Sequence, residues 1–205
     1  EVIRGINAFM LEAKQHNPDV EVEIVWVFTW FDPAKEAAAA QALIDNGADV
    51  IVQHTDSPAA MQIAENAGIK AFGQASDMSR FGPTAHLVSI VDDWDSYYVD
   101  RAIAGRDGTW EQQDTWWGRT KDGMGGETGM VVMGSYGNMP DNVMADAKAL
   151  EAALAKGDRH SFPCPVYMQD GALADDCAAR EAHLTDGTLV GMNWYIQGID
   201  ATIPQ

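Results

Sequence analysis

The sequence predicts an α/β fold built on a parallel sheet, and three observations carry that expectation. Helical and strand-type patterns alternate from residue 1 to about 91, helical segments are bracketed by capping and proline starts and glycine stops, and the apolar runs end in loops carrying Trp, Asp, Gln or Ser. Such alternation produces right-handed crossovers and a sheet covered on both faces. In open sheets of this class small molecules bind outside the carboxyl ends of the strands.

Each element has a local reason. Val2, Ile3, Ile6, Phe9, Met10 and Ala13 follow a helical stripe that ends near Asn17-Pro18. Residues 20–27 begin with strict alternation and end as a continuous apolar run, which predicts the first strand. Asp32 is placed to cap a helix with Pro33 at its first position, and the Ala-rich segment to Asn46 stops at Gly47. Residues 49–53 predict the second strand. Ser57 as cap, Pro58 at the first position and Gly68 as stop then bracket another helix, followed by strands at 70–73 and 86–91.

The second half is less regular. Residues 94–104 predict an amphipathic helix ending at Gly105 or Gly108, and 110–129 a loop-like segment holding Trp116 and Trp117. A short strand is expected at 130–133. The helix at 140–156 has Asp141 and Asn142 in its first turn and stops at Gly157. From Phe162 onward the chemistry is that of hairpins and loops, with Gln169-Asp170-Gly171 as a turn.

Composition excludes several classes. A chain of 205 residues, 46% hydrophobic, can bury one substantial core or two small lobes. No run approaches the roughly 20 apolar residues of a membrane helix. The formal charge of −18 argues against nucleic acid as a partner, because phosphate binding draws on Lys and Arg. Two cysteines and five histidines lack the spacing of a zinc site, and no Gly-x-Ser-x-Gly, phosphate loop or dinucleotide fingerprint occurs, so neither an enzyme nor a cofactor is expected. No signal segment is found at Glu1, where the chain opens inside a helical pattern.

Several motifs together carry a family likeness: Asn17-Pro18, Trp30-Phe31-Asp32-Pro33-Ala34-Lys35, Gly47-Ala48-Asp49-Val50-Ile51, Gly73-Gln74-Ala75-Ser76-Asp77-Met78, Lys121-Asp122-Gly123-Met124 and Asn193-Trp194-Tyr195-Ile196-Gln197-Gly198. The sequence resembles the basic membrane protein family, solute-binding proteins of bacterial ABC importers that include the purine nucleoside receptor lipoproteins. The resemblance implies a type I periplasmic-binding fold of two lobes closing on a purine nucleobase or nucleoside. It also implies an ABC permease in the inner membrane as partner and a periplasmic or cell-surface location. Residues 1–91 would form a Rossmann-like ligand-binding lobe, and 92–205 the remainder of the second lobe, crossover segments and a C-terminal hairpin or tail. Two departures stand out: the N-terminal portion that forms most of the family's first lobe is missing, and Gly125–Gly129 reads as a small insertion. Self-association through the incomplete lobe is therefore expected as one way to supply the missing face.

A purine offers a flat π-face and a rim of donors and acceptors. Trp30 suits stacking, while Asp56, Gln74 and Asp77 suit the exocyclic amine or ribose hydroxyls, with Thr55 and Trp94 completing the expected ligand set. Each has a plainer reading: Trp30 as core or hinge packing, Asp56 as a helix cap, Asp77 as a turn residue, and Trp94 with Trp116-Trp117 as packing. Asp32 is expected as a cap rather than a contact, and His54 as structural or a hydrogen-bonder rather than a base. The resemblance places ligand at the Ser76-Asp77 pair. Rival functions are a nucleoside hydrolase using Asp56 or Asp77 and the sensor domain of a regulator. Because the resemblance is to exported proteins, Cys164 and Cys177 are expected to be bridged, with two free thiols the alternative.

Overall fold

The structure is a computed structural model that describes residues 1–113, 115–120 and 129–204. The Lys121-Asp122-Gly123-Met124 motif and residues 125–128 of the expected insertion lie outside the described residues. In chain order the elements are α1 (Val2–His16), α2 (Pro33–Asp45), β1 (Val50–Val52), α3 (Ala59–Ala67), β2 (Lys70–Ala75), a 3-10 turn (Ser79–Phe81), β3 (His86–Asp92), α4 (Asp95–Asp107), β4 (Val131–Met133), α5 (Asp141–Lys156), α6 (Asp175–Ala178) and α7 (Asp186–Val190). The chain divides into two compact units, one made of residues 1–26 and 159–205, the other of 27–158. Residue 91 falls inside the second of these.

The 27–158 unit carries the sheet, in the order β1-β2-β3-β4. β1, β2 and β3 are parallel, so the α/β class holds, but β4 runs antiparallel to β3. Asp92 pairs with Val131, so the chain re-enters the sheet at the end where it left, and that forces the reversed direction. Ile51 at the centre of β1 and Ala71 of β2 are buried with Ala40 of α2 and Ala60, Met61 and Ala64 of α3. Small alanines on both helices let α2 and α3 pack closely against each other, with α3 lying over β1 and β2.

Local capping explains α2. Asp32 accepts from the Lys35 N–H at 3.1 Å, and the Glu36 carboxylate reaches back to the Asp32 N–H at 2.9 Å, a reciprocal cap. The start of α3 differs from expectation. Pro58 occupies the cap position rather than the first helical position, and Ser57 stands one residue earlier. The Ser57 hydroxyl accepts from the Ala59 N–H at 3.3 Å and donates to Glu36 at 2.6 Å. The end is as read: Gly68 closes α3 in the left-handed conformation at φ 73°. α4 runs through Gly105 to stop at Gly108, φ 68°, and buries none of its residues, so the stripe expected to be amphipathic is not a core face.

The strand expected at 20–27 does not form. Val20, Val22 and Ile24 instead pack against the core of their own unit, residues 1–26 and 159–205, while Glu21 and Glu23 face outward. The alternation marked a segment with one buried side, and among the described residues no strand pairs with it.

In the unit of residues 1–26 and 159–205, Met10 of α1 is buried with Phe162, Val166, Leu184, Tyr195, Ile196 and Ile199. Full burial of a side chain of this size contributes about 1.5–3 kcal/mol. Buried Asn7 ties α1 to the C-terminal segment, donating to the Trp194 carbonyl at 2.8 Å and accepting from the Ile196 N–H at 3.2 Å. Cys164 and Cys177 are joined by a disulfide. The Gln169–Gly171 turn is present, with the Gly171 N–H on the Met168 carbonyl at 2.8 Å and Gly171 at φ 85°. The expected hairpin is reduced to isolated bridges such as Tyr167 with Leu173, and the short helices α6 and α7 fill the remainder.

Candidate ligand-binding site

Because β1, β2 and β3 are adjacent and parallel, the loops that follow them emerge on one edge of the sheet. Those loops hold the residues expected to meet a ligand. After β1, the Asp56 N–H donates to the Trp30 carbonyl at 2.9 Å, which brings the Thr29–Pro33 loop to the Thr55-Asp56 pair. The Trp30 ring lies 5.9 Å from the His54 ring at a tilt of 53° and remains 52% exposed, so one face is presented to solvent and is not core packing.

After β2 the chain turns sharply. Ala75 has φ 63°, and the Ser76 N–H donates to the Gln74 carbonyl at 2.8 Å, closing a three-residue turn. A non-glycine residue there costs on the order of 1–3 kcal/mol, and strain of this kind concentrates at ligand-binding positions. The turn folds the next residues back over β3: Met78 N–H reaches the Ser89 hydroxyl at 3.1 Å. Asp77 accepts from the Ser135 N–H at 2.9 Å, the Ser135 hydroxyl at 2.7 Å and the Ser79 N–H at 2.9 Å. Partial burial pushes the Asp77 carboxyl up, but the donors from Ser135 and Ser79 outweigh it and hold the group well below the usual carboxylate range. Asp77 is thus an ionised acceptor that already links the end of β2 to the chain beyond β4. Beneath it, buried His86 lies 2.8 Å from the Ser89 hydroxyl; burial lowers its pKa against the attraction of Asp77.

Trp94 follows β3 as the residue before α4. Its ring centroid lies 6.2 Å from Tyr97 and 5.9 Å from Tyr98, and Tyr97 in turn meets Trp117 edge-on at 5.6 Å. The Arg101 guanidinium stands 5.6 Å from the Tyr97 ring. Trp94 is therefore part of an aromatic group with an exposed face, and both its packing and its ligand reading have a physical basis.

The structure brings Trp30, Thr55 and Asp56 together, sets Gln74 and Asp77 at the neighbouring strand end, and leaves Trp94 with its own aromatic partners. Sequence reasoning missed Ser135, Glu36 and the amide of Gln53. Ser135 lies 58 positions from Asp77 and carries no local signal. A concavity of about 300 Å³ lies elsewhere, in the unit of residues 1–26 and 159–205, walled by Met168, Asp175, Thr188 and Trp194. None of the expected ligand residues lines it, and the strand-end geometry is the stronger guide in an open parallel sheet.

Comparison with known proteins places these observations. Residues 1–145 match the family described as ABC transporter substrate-binding protein PnrA-like. Over all 205 residues the chain is 48% identical to a purine-binding protein of Brucella abortus (strain 2308), covering 56% of it. It is 39% identical over the same length to an ABC-transporter binding protein of Haloferax volcanii named for glucose, covering 47% of that protein. The chain thus spans about half the length of these curated relatives. Among solved structures, a solute-binding protein of an ABC transporter from Conexibacter woesei is similar with a TM-score of 0.54 at 23% identity, over 78% of this chain and 52% of that one. At that identity the likeness bears on the fold alone.

Proposed function

This chain belongs to the PnrA-like family of ABC-transporter substrate-binding proteins, and we propose that it supplies the part of such a protein that holds a purine nucleobase or nucleoside. The observation that carries this reading is the 48% identity, along the full 205 residues, to a purine-binding protein. The sheet edge supports it. Trp30 offers an exposed ring to the π-face of a base, Thr55 and Asp56 stand beside it, and Gln74 and the ionised Asp77 supply acceptors for amine or hydroxyl donors. Trp94 offers a second aromatic surface. In the whole protein an interlobe cleft closes over the ligand, an ABC permease receives it, and the protein works in an exported location. Self-association of the chain belongs to the same proposal.

The relative named for glucose favours a second reading, a sugar stacked on the same tryptophans. Titration calorimetry of the chain with adenine, adenosine, inosine and glucose separates the two. Purine binding at least roughly tenfold tighter than glucose, a difference of about 1.4 kcal/mol, is the expected result. Tighter binding of glucose, or heat from none of the purines, would sink the purine reading. Mass spectrometry of ligand released from the purified protein by denaturation gives an independent answer.

A further inference from the structure

We propose that Gln53 is the positioning residue of this site: its side-chain amide sets the loop that presents Thr55, Asp56 and Trp30. Gln53 is the first residue after β1 and is only 8% exposed. Its Nε2 donates to two backbone carbonyls of the loop that follows, Thr55 at 3.0 Å and Ser57 at 3.0 Å. Both amide hydrogens are thereby used, and the loop is wound around a single nitrogen. The orientation of the amide is fixed by chemistry, because turning it over would aim Oε1 at two carbonyl oxygens.

The clamp reaches beyond the loop. Ser57, whose carbonyl is held by Gln53, donates its hydroxyl to buried Glu36 at 2.6 Å, and Glu36 accepts from the Asp32 N–H at 2.9 Å. Asp56, lying between the two clamped carbonyls in sequence, donates its N–H to the Trp30 carbonyl at 2.9 Å. Gln53 therefore joins two segments more than twenty residues apart. Oε1 is buried and has no hydrogen-bond partner among the described residues. A buried amide that leaves its acceptor unmatched is retained at a cost, and the two carbonyls it gathers account for its place here.

This inference rests on the purine reading only for its consequence in binding, and the test separates the two. The measurements are amide exchange of Asp56 in the ligand-free chain, with Ala71 and Ile69 as references, and the affinity for inosine by titration calorimetry. Gln53→Met keeps the length and removes both donors. It should speed Asp56 exchange roughly tenfold, leave Ala71 and Ile69 unchanged and weaken inosine binding roughly tenfold. Gln53→Glu should match Gln53→Met at neutral pH. On acidification its carboxyl regains one donor, and Asp56 should then exchange more slowly than in Gln53→Met at the same pH. The proposal is overturned if Asp56 exchanges in both variants as it does in the native chain, or if Asp56, Ala71 and Ile69 all speed up together, which is general loosening. If the native chain binds none of adenine, adenosine and inosine, the purine reading fails, and the exchange comparison alone decides the role of Gln53.

Discussion

A methyl group added to Gly73 would stand 2.1 Å from the hydroxyl oxygen of Ser89 and 3.0 Å from the Met78 Cβ. The Ser89 oxygen cannot swing aside without cost, because it accepts from the Met78 N–H and lies 2.8 Å from His86 Nε2. This is also where the register of β2 shifts against β3. Gly73→Ala should therefore lower stability by about 1–3 kcal/mol through overpacking. The check is the denaturation midpoint followed by circular dichroism, and an unchanged midpoint would show that the sheet accommodates the extra carbon.

Asp77 yields a prediction about acid. Its carboxyl, held below the usual range by donors from Ser135 and Ser79, is the depressed-pKa case. The stability it contributes is fully present above the ordinary carboxylate range and is lost as pH falls through the lower value of the folded state. Asp77→Asn turns an amide N–H toward one of these donor groups and should unfold more readily than the parent at neutral pH. The gap should narrow as the parent is acidified below about pH 4. Paired thermal melts from pH 7 downward test this, and a gap independent of pH would remove the ionic contribution.

If Asp77 also meets ligand, Asp77→Ala should weaken purine binding by roughly ten- to a hundredfold, the range for a hydrogen bond to a charged acceptor. Calorimetry on the folded variant is the test. Binding within twofold of the parent would confine Asp77 to holding the turn onto Ser135.

His160 and His183 stack with ring centroids 3.9 Å apart and planes 15° from parallel. Burial and the neighbouring His183 pull the His160 pKa below its ordinary value, against the Phe162 backbone and Asp186; Asp176 lies near His183. The associated stability is present above the ordinary histidine value of about 6.5 and is lost as pH falls through the folded one. The melting temperature should drop between about pH 7 and pH 5, and His183→Gln should flatten that drop. An equal slope in the variant would place the acid sensitivity elsewhere.

The disulfide of Cys164 and Cys177 closes a span of 13 positions. Replacing both with alanine should cost about 3 kcal/mol in the chain-entropy picture. The native, unreduced protein should show no alkylatable thiol; finding two would contradict the bridge.

The capped helices were legible because their signals are local. Asp32, Pro33 and Gly68 act within a turn of their own positions, and α2 and α3 end close to where those residues predict. Residues 20–27 failed because alternation reports one buried side and not a strand partner. The reversed β4 could not be read for a related reason: direction is set by which end of the sheet the chain re-enters. In the site, aromatic and acidic loop residues announced themselves by type. Ser135 and Glu36 did not, since a serine 58 positions from its carboxylate and a glutamate on an Ala-rich helix look like ordinary surface residues.

The unit assembled from residues 1–26 and 159–205 has a consequence for the order in which the protein is made. Asn7 and Met10 wait for Trp194, Ile196 and Ile199, partners that the ribosome delivers only after residues 27–158. Residues 27–158 contain their own core and can condense while the rest is still being translated. A helix made before residues 27–158 is thus packed only after them. Throughout that interval its apolar stripe has no core to pack against.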